Sequence, residues 1–248
     1  MESNKENIRI DFVMPAYNEE ENIENVIMSW HSIVEELNCQ GHKATLIIAN
    51  DGSKDKTWDK MTKLEEAYPY FRPINKKNSG HGATLLFLYR YSIEKGVHYI
   101  FQTDSDGQTE PTEFWEMWKN LKDFDFQIGH RSGRQDGYSR IIVTKVLKGV
   151  IRLIFGVTIK DANTPFRLMN ADKLKRTMDL IPDDFFLSNV AISAIAVRKN
   201  YKINWTPITF RPRQGGVNSI NIKRIFKIGW KAMGDFKMIN RNLNKNGI

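Results

Sequence analysis

One cysteine, Cys39, is the whole thiol complement of this 248-residue chain. It can build neither an intramolecular disulfide framework nor a multi-cysteine zinc cluster, which suits a reducing compartment. Long hydrophobic runs are missing too. Ile141 to Ile159 is broken by Lys145, Lys148 and Arg152, so nothing approaches the roughly 18–20 uninterrupted apolar residues of a spanning helix. No charged-then-apolar leader opens the chain, and Met1 to Asn7 is polar. The expectation is therefore a cytoplasmic protein rather than a secreted one. Motifs that interleave aromatics with basic residues for nucleic-acid binding are also lacking. A nucleic-acid-binding module would then rest on charge alone, and no nucleic-acid partner is expected.

What is present is 41% hydrophobic content, enough for one substantial core. The organisation read from it is one catalytic domain over residues 1–219 followed by a basic amphipathic extension over 220–248. The net charge of +8 hides a polarity along the chain. Residues 1–125 carry 14 Lys and Arg against 22 Asp and Glu, whereas residues 126–248 carry 23 against 7. The acidic half suits helix N-termini and a cation site; the basic half suits an anionic partner.

Apolar runs and amphipathic stretches alternate through the first 130 residues: Ile8–Met14, Ile23–Leu37, Ala44–Ala49, Thr57–Tyr68, Phe71–Asn75, Gly82–Lys95 and Tyr99–Thr103. Short connections, and strands apolar on both faces, predict an α/β fold with a mainly parallel sheet flanked by helices. A further helix is predicted over Thr112–Lys122 from its core-type spacing. In such sheets ligands bind at the carboxyl ends of the strands.

Each segment that could carry chemistry falls at such an end. After Tyr99–Thr103 come Asp104, Asp106 and Gln108, at alternating positions that could converge on one Mg2+ or Mn2+ ion with room left for phosphate oxygens. The competing reading is an ordinary Asp-rich turn. After Ile8–Met14, Pro15 is expected to close the strand, Tyr17 to stack on a base and Asn18 to cap the next helix. After Ala44–Ala49, Asp51 could accept from the ring N–H of uracil or guanine, or simply serve a capping turn. Gly80 and Gly82 before the next helix would let backbone N–H groups approach a phosphate or sugar closely. His81 between them reads as packed or solvated rather than as a base.

Taken in order, VMPAYNEEENI, ANDGSKDKT, NSGHGA and DSDGQTEP, followed by IGHR, DANTPFRLMN and TPITFRPRQGGVNS, resemble glycosyltransferase family 2 with a GT-A (Rossmann-like) fold. Within that family the pattern is most similar to synthases that load sugars onto polyprenyl or dolichyl phosphates, over roughly residues 8–219. The resemblance implies that Pro15, Tyr17, Glu19, Asp51, Gly80 and Asp104 bind the nucleotide sugar, and that Asp104, Asp106 and Gln108 surround the metal. It further implies that Arg131, Arg140, Thr144 and Arg213 face the acceptor phosphate, and that Asp106, Arg131 and Arg213 are the catalytic group. The expected partners are a UDP- or GDP-sugar and a polyprenyl phosphate.

The sequence departs from the family pattern at Asn50, at Asn163-Thr164-Pro165 and at residues 189–191, where an acidic residue is expected. Members that glycosylate a sugar hydroxyl need a general base there. Asp183 or Asp184 could supply one in a transferase acting on a saccharide hydroxyl, although capping of the next helix is an alternative role. A phosphate acceptor is already an anionic nucleophile and needs arginines instead. In Ser139–Phe155 and Ile220–Leu243, lysines and arginines recur at helical spacing beside apolar residues. These two basic amphipathic helices suit peripheral contact with the cytoplasmic face of a membrane, directly or through a membrane-protein partner. Packing of both on the sheet is the alternative.

Overall fold

The computed structural model describes residues 7–131, 138–211 and 222–245, with side chains described over 7–131, 144–211 and 233–245. The chain runs β1 (Arg9–Ala16), α1 (Ile23–Cys39), β2 (Lys43–Asp51), α2 (Thr57–Glu65), β3 (Phe71–Lys76), α3 (His81–Glu94) and β4 (Tyr99–Gln102). A 3-10 turn at Pro111–Glu113 leads into α4 (Phe114–Lys119), then β5 (Phe126–Arg131) and α5 (Tyr138–Phe155). The remainder is β6 (Arg167–Asn170), α6 (Ala171–Met178), α7 (Ser188–Arg198), β7 (Ile203–Ile208) and α8 (Ile222–Lys245).

Seven strands form one sheet in the order β3-β2-β1-β4-β6-β5-β7. All neighbours are parallel except β6, which is antiparallel to both β4 and β5. The carboxyl ends of β1, β2, β3, β4, β5 and β7 therefore lie along one edge, and β6 brings its amino end there, with Arg167 opposite Gln102. This is the mixed, mainly parallel α/β sheet expected.

Side chains alternate across the sheet with the period of two that strand geometry imposes. Ile10, Phe12 and Met14 face a core shared with α1, α2 and α4. Val13, Ile47 and Ala49 face the opposite core, built with α3, α5, α6, α7 and α8. Aromatic contacts dominate the first core: Phe12 and Phe114 have ring centroids 4.9 Å apart, and Phe101 and Phe166 4.8 Å. Burial of each such side chain contributes on the order of 2–3 kcal/mol.

Two local expectations change, and the packing of α5 and α8 becomes visible. Pro15 does not end β1, which continues to Ala16 with Pro15 beside Ala49. Its carbonyl accepts the Ser105 hydroxyl on the β4 side, and β1–β4 pairing has already ended at Val13 and Gln102, so the missing N–H costs no ladder bond. The helix expected from Thr112 is split into a 3-10 turn and a short α4, with Pro111 opening the turn. Finally, α5 and α8 both pack inward at their carboxyl halves, where Phe155 and Phe236 meet edge-on at 5.6 Å and Ile239 and Leu243 are fully buried. The division between domain and extension at residue 219 falls outside the described residues.

Candidate active site at the carboxyl edge of the sheet

Asp51, the last residue of β2, organises one side of this edge. Its Oδ1 accepts the Lys76 ammonium at 2.6 Å and the Ser79 N–H at 2.8 Å, and its Oδ2 accepts the Gly80 N–H at 2.9 Å. Burial would raise this carboxyl. The hydrogen bonds from Lys76, Ser79 and Thr84, with the Lys76 charge, outweigh it and hold the group below the usual carboxylate range. Gly80, at φ +88°, adopts a conformation that disfavours side chains, and the space where its Cβ would sit is open. Gly82 is different. A Cβ there would lie 2.4 Å from the Phe186 carbonyl oxygen, so this glycine serves a close approach of backbone to backbone.

Beyond β1, Tyr17 is 44% exposed and available for stacking. Asn18 takes a left-handed conformation at φ +54° and does not cap α1, which begins at Ile23 after Asn22. Its N–H donates to Ser53 Oγ and its Oδ1 accepts the Lys54 N–H, which ties the β1 and β2 loops together. Glu19 is buried and accepts from Asn22 Nδ2. Asn50 occupies the end of β2 by donating to Asn75 Oδ1 and accepting the Ser53 N–H.

Asp104 and Asp106 follow β4 in a turn rather than in an extended run, since β4 ends at Gln102 and Gly107 takes φ +71°. Asp106 Oδ1 accepts the Gln108 N–H at 3.1 Å, and Gln108 Nε2 donates to the Arg211 carbonyl at 2.7 Å. A cation would therefore meet the other amide atom, Oε1. His81, read from sequence as packed or solvated, places Nε2 3.0 Å from Asp104 Oδ1. Its side chain is half exposed; partial desolvation pulls its pKa down, but the charge and hydrogen bond of Asp104, with Asp106 and Asp51, raise it overall.

Among the described residues no group of three or more His, Cys, Asp or Glu side chains forms a ready cation cage. The donor chemistry still fits a hard divalent ion. Mg2+ and Mn2+ are commonly held by one or two carboxylates together with substrate phosphates rather than by an all-protein cage. Two half-buried carboxylates at a strand end supply that arrangement.

On the far side of β4, Arg131 ends β5 and is only 11% exposed. Its Nε and Nη2 donate to the two oxygens of Asp161 at 2.8 and 3.0 Å, a bidentate pair. Phe210 lies with its ring centroid 5.0 Å from the Arg131 guanidinium carbon. Thr144 is half-buried on α5. The side chain of Arg140, and Arg213 altogether, lie outside the described residues. Asp183 is exposed and paired with Arg90 at 2.6 Å, and α7 begins at Ser188 without a side-chain cap, so neither Asp183 nor Asp184 caps it. The first turn of α7 instead offers Ser188 and Asn189, both buried.

Arg167 was not anticipated. It is fully buried and donates to the carbonyls of Thr164, Asn189 and Ala162 and to Ser193 Oγ. Burial lowers its pKa to about 10, which leaves it charged at neutral pH. Four neutral acceptors carry that charge, and the guanidinium fastens the chain before β6 to the start of α7.

The seven-stranded sheet with its flanking helices is the fold of the GT-A glycosyltransferases, and the carboxylate turn lies at its carboxyl edge. The chain belongs to glycosyl transferase family 2, whose family model matches residues 11–188. It is 23% identical over 236 residues to a polyprenol monophosphomannose synthase of Mycolicibacterium smegmatis, covering 90% of this chain and 86% of that one. It is 24% identical to a UDP-N-acetylglucosamine–dolichyl-phosphate N-acetylglucosaminyltransferase of Methanococcus voltae, covering 90% and 94%. Among solved structures it resembles glucosyl-3-phosphoglycerate synthase of Mycobacterium tuberculosis in complex with Mn2+, UDP and glucosyl-3-phosphoglycerate, with TM-score 0.67 at 16% identity over 94% of this chain and 80% of that one.

Proposed function

We propose that this glycosyltransferase moves one hexosyl group, with inversion, from a nucleotide diphosphate sugar to a polyprenyl phosphate at the cytoplasmic face of a membrane. The observation that carries the reading is the position of Arg131, which ends β5 on the same sheet edge as the Asp104–Gln108 turn. An anionic acceptor needs a fixed cation and no general base. The start of α7, where a base would be sought for a hydroxyl acceptor, carries Ser188, Asn189, Val190 and Ala191. Both curated relatives named above carry a polyprenol or dolichyl phosphate in their names, which supports the same acceptor class. Their names carry different sugars, mannose in one and N-acetylglucosamine in the other.

In this reading Pro15, Tyr17, Glu19, Asp51 and Gly80 line the nucleotide pocket, with Tyr17 stacking and Asp51 Oδ2 accepting from the base. Asp104 and Asp106, with Gln108, hold Mg2+ or Mn2+, which when bound supplies positive charge to a diphosphate leaving group. Arg131, Arg140, Thr144 and Arg213 position the acceptor phosphate. One of its oxygens attacks the anomeric carbon as the bond from that carbon to the diphosphate oxygen breaks, releasing a nucleoside diphosphate.

Contact with a membrane would be peripheral: no described helix is long and apolar enough to cross one. Helix α5 exposes Val146 at 60% and Leu153 at 84% beside Lys145, Lys148 and Arg152. That mixture of apolar and basic groups suits a headgroup layer. Residues 1–219 would form the catalytic domain, and 220–248 a basic extension that adds to this surface.

The test is transfer of labelled sugar from a panel of UDP- and GDP-sugars to a polyprenyl phosphate in detergent, with and without Mn2+. Metal-dependent label in an organic-extractable product is the expected result. Donor turnover with a soluble saccharide acceptor, and none with the lipid, would replace it with the hydroxyl-acceptor reading.

A further inference from the structure

The segment after β7 is fastened to the turn that carries Asp104 and Asp106. Thr109 and Phe210 form an antiparallel bridge. The Arg211 N–H donates to the Gln108 carbonyl at 2.8 Å, and Gln108 Nε2 returns a bond to the Arg211 carbonyl. The Thr209 N–H is held by both carboxylate oxygens of Glu113, at 2.9 and 3.0 Å, and Arg211 pairs with Glu110. Three consecutive residues are thus fixed against residues 108–113, more than 95 positions earlier in the chain. At the centre of this clasp, the Phe210 side chain reaches the guanidinium of Arg131.

We infer that Phe210 is a positioning residue that holds the Arg131 guanidinium in register with the Asp104–Gln108 turn. Its backbone belongs to the clasp and its ring to the arginine, so the two sides of the edge are joined through one residue. The bidentate Asp161 pair constrains Arg131 from the segment before β6. The aromatic ring supplies a second, independent constraint from the metal-turn side. A guanidinium over an aromatic face is attracted by the ring quadrupole, an interaction that strengthens when partly desolvated as here.

The assignment of Arg131 to an acceptor phosphate rests on the function proposed above; the geometric link does not. Two measurements on the intact chain separate them. In the first, phenylglyoxal labelling of individual arginines is followed by peptide mass spectrometry in wild type, Phe210→Ala and Phe210→Tyr. Phe210→Ala should speed labelling of Arg131 severalfold, with the fully buried Arg167 unchanged as the reporter of global opening, and Phe210→Tyr should restore the wild-type rate. In the second, calorimetric titration with farnesyl phosphate should show about five- to tenfold weaker binding in Phe210→Ala, with UDP or GDP plus Mn2+ bound within about twofold of wild type. An unchanged Arg131 labelling rate, or equal acceleration at Arg131 and Arg167, would overturn the inference. Intact farnesyl phosphate affinity in Phe210→Ala would overturn it as well. If wild type binds nucleotide but not farnesyl phosphate, the acceptor reading fails, and the labelling experiment alone decides the role of Phe210.

Discussion

Lys76 reaches from the end of β3 to place its ammonium 2.6 Å from the carboxylate of Asp51 at the end of β2, with the two side chains 15% and 4% exposed. The pair does more than neutralise charge. Asp51 also accepts the N–H groups of Ser79 and Gly80, and Lys76 also donates to Ser79 Oγ, Thr84 Oγ1 and its neighbour's carbonyl. Together they set the conformation of residues 77–80 and hence where α3 begins.

Replacing Lys76 by Met leaves a buried carboxylate without its ammonium, a change that costs about 3–5 kcal/mol. For a chain of this length that corresponds to a fall in Tm on the order of 6–15 °C, measurable by thermal denaturation at pH 7. The Asp51 pKa is depressed in the fold, so the stability it adds is complete above the ordinary value of 3.8 and is lost as pH falls below it, through the folded value. The stability gap between wild type and Lys76→Met should therefore narrow in acid. A gap that stays constant down to pH 2 would show that the ion pair is not its source.

Asp104→Asn and Asp106→Asn each remove one negative charge while preserving shape. Either should lower turnover by at least about a hundredfold, in keeping with loss of a principal electrostatic contribution, with Tm within a few degrees of wild type. Calorimetric titration of Mn2+ in the presence of UDP or GDP should show weakened binding in both. A variant that turns over at near wild-type rate would remove that residue from the proposed metal site.

Gly80 and Gly82 look alike in the sequence, yet their substitutions should differ sharply. Gly82→Ala drives a methyl group to 2.4 and 2.5 Å from the carbonyl oxygens of Phe186 and Phe185, atoms that can retreat only by moving the segment before α7. Gly80→Ala meets open space but has to hold φ +88° with ψ 157°, a region essentially confined to glycine, at a strain of roughly 1–3 kcal/mol. Gly82→Ala should accordingly be the more destabilising by several degrees in Tm. Equal effects would mean that the two segments separate easily.

The architecture was legible because it is written in local pattern: short runs such as Phe12-Val13-Met14 and Leu46-Ile47-Ile48, apolar on both faces and alternating with amphipathic helical stretches, fit central parallel strands. The order of motifs at the strand ends was legible for the same reason. Contacts made across the chain were not. Nothing near His81 announces Asp104, and nothing near Phe210 announces Arg131, because the sheet brings these pairs together from separations of 23 and 79 residues. Asn18 misled because a residue suited to capping is equally suited to a left-handed turn. Arg167 could have been flagged by one signal, a lone arginine opening the apolar run Arg167-Leu168-Met169, where a charge has to find buried partners.

Asp11 tests the opposite electrostatic case from Asp51. It is the third residue of β1, 4% exposed, and its Oδ2 has no hydrogen-bond partner among the described residues. Burial pushes its pKa up to about 6, and neighbouring Ser92, Lys95 and Thr45 only partly offset that rise. The folded pKa therefore lies above the unfolded value of 3.8. Between these values the native state binds more protons than the unfolded chain, so stability rises as pH falls from about 6 towards 4, and at neutral pH the ionised carboxylate costs about 3 kcal/mol. Asp11→Asn removes the charge and keeps the shape. It should raise stability at pH 7.5 by about 1–3 kcal/mol, less than the full penalty because the amide brings its own buried N–H groups. The gain should shrink towards zero or below at pH 4, where wild-type Asp11 is already protonated in the fold. Urea denaturation at the two pH values measures both numbers. A variant less stable than wild type at pH 7.5 would mean that the carboxylate is ionised and well satisfied in β1. Residues 99–102 of β4 lie beside this strand, so its hydrogen exchange should slow in the variant at pH 7.5 and match wild type at pH 4.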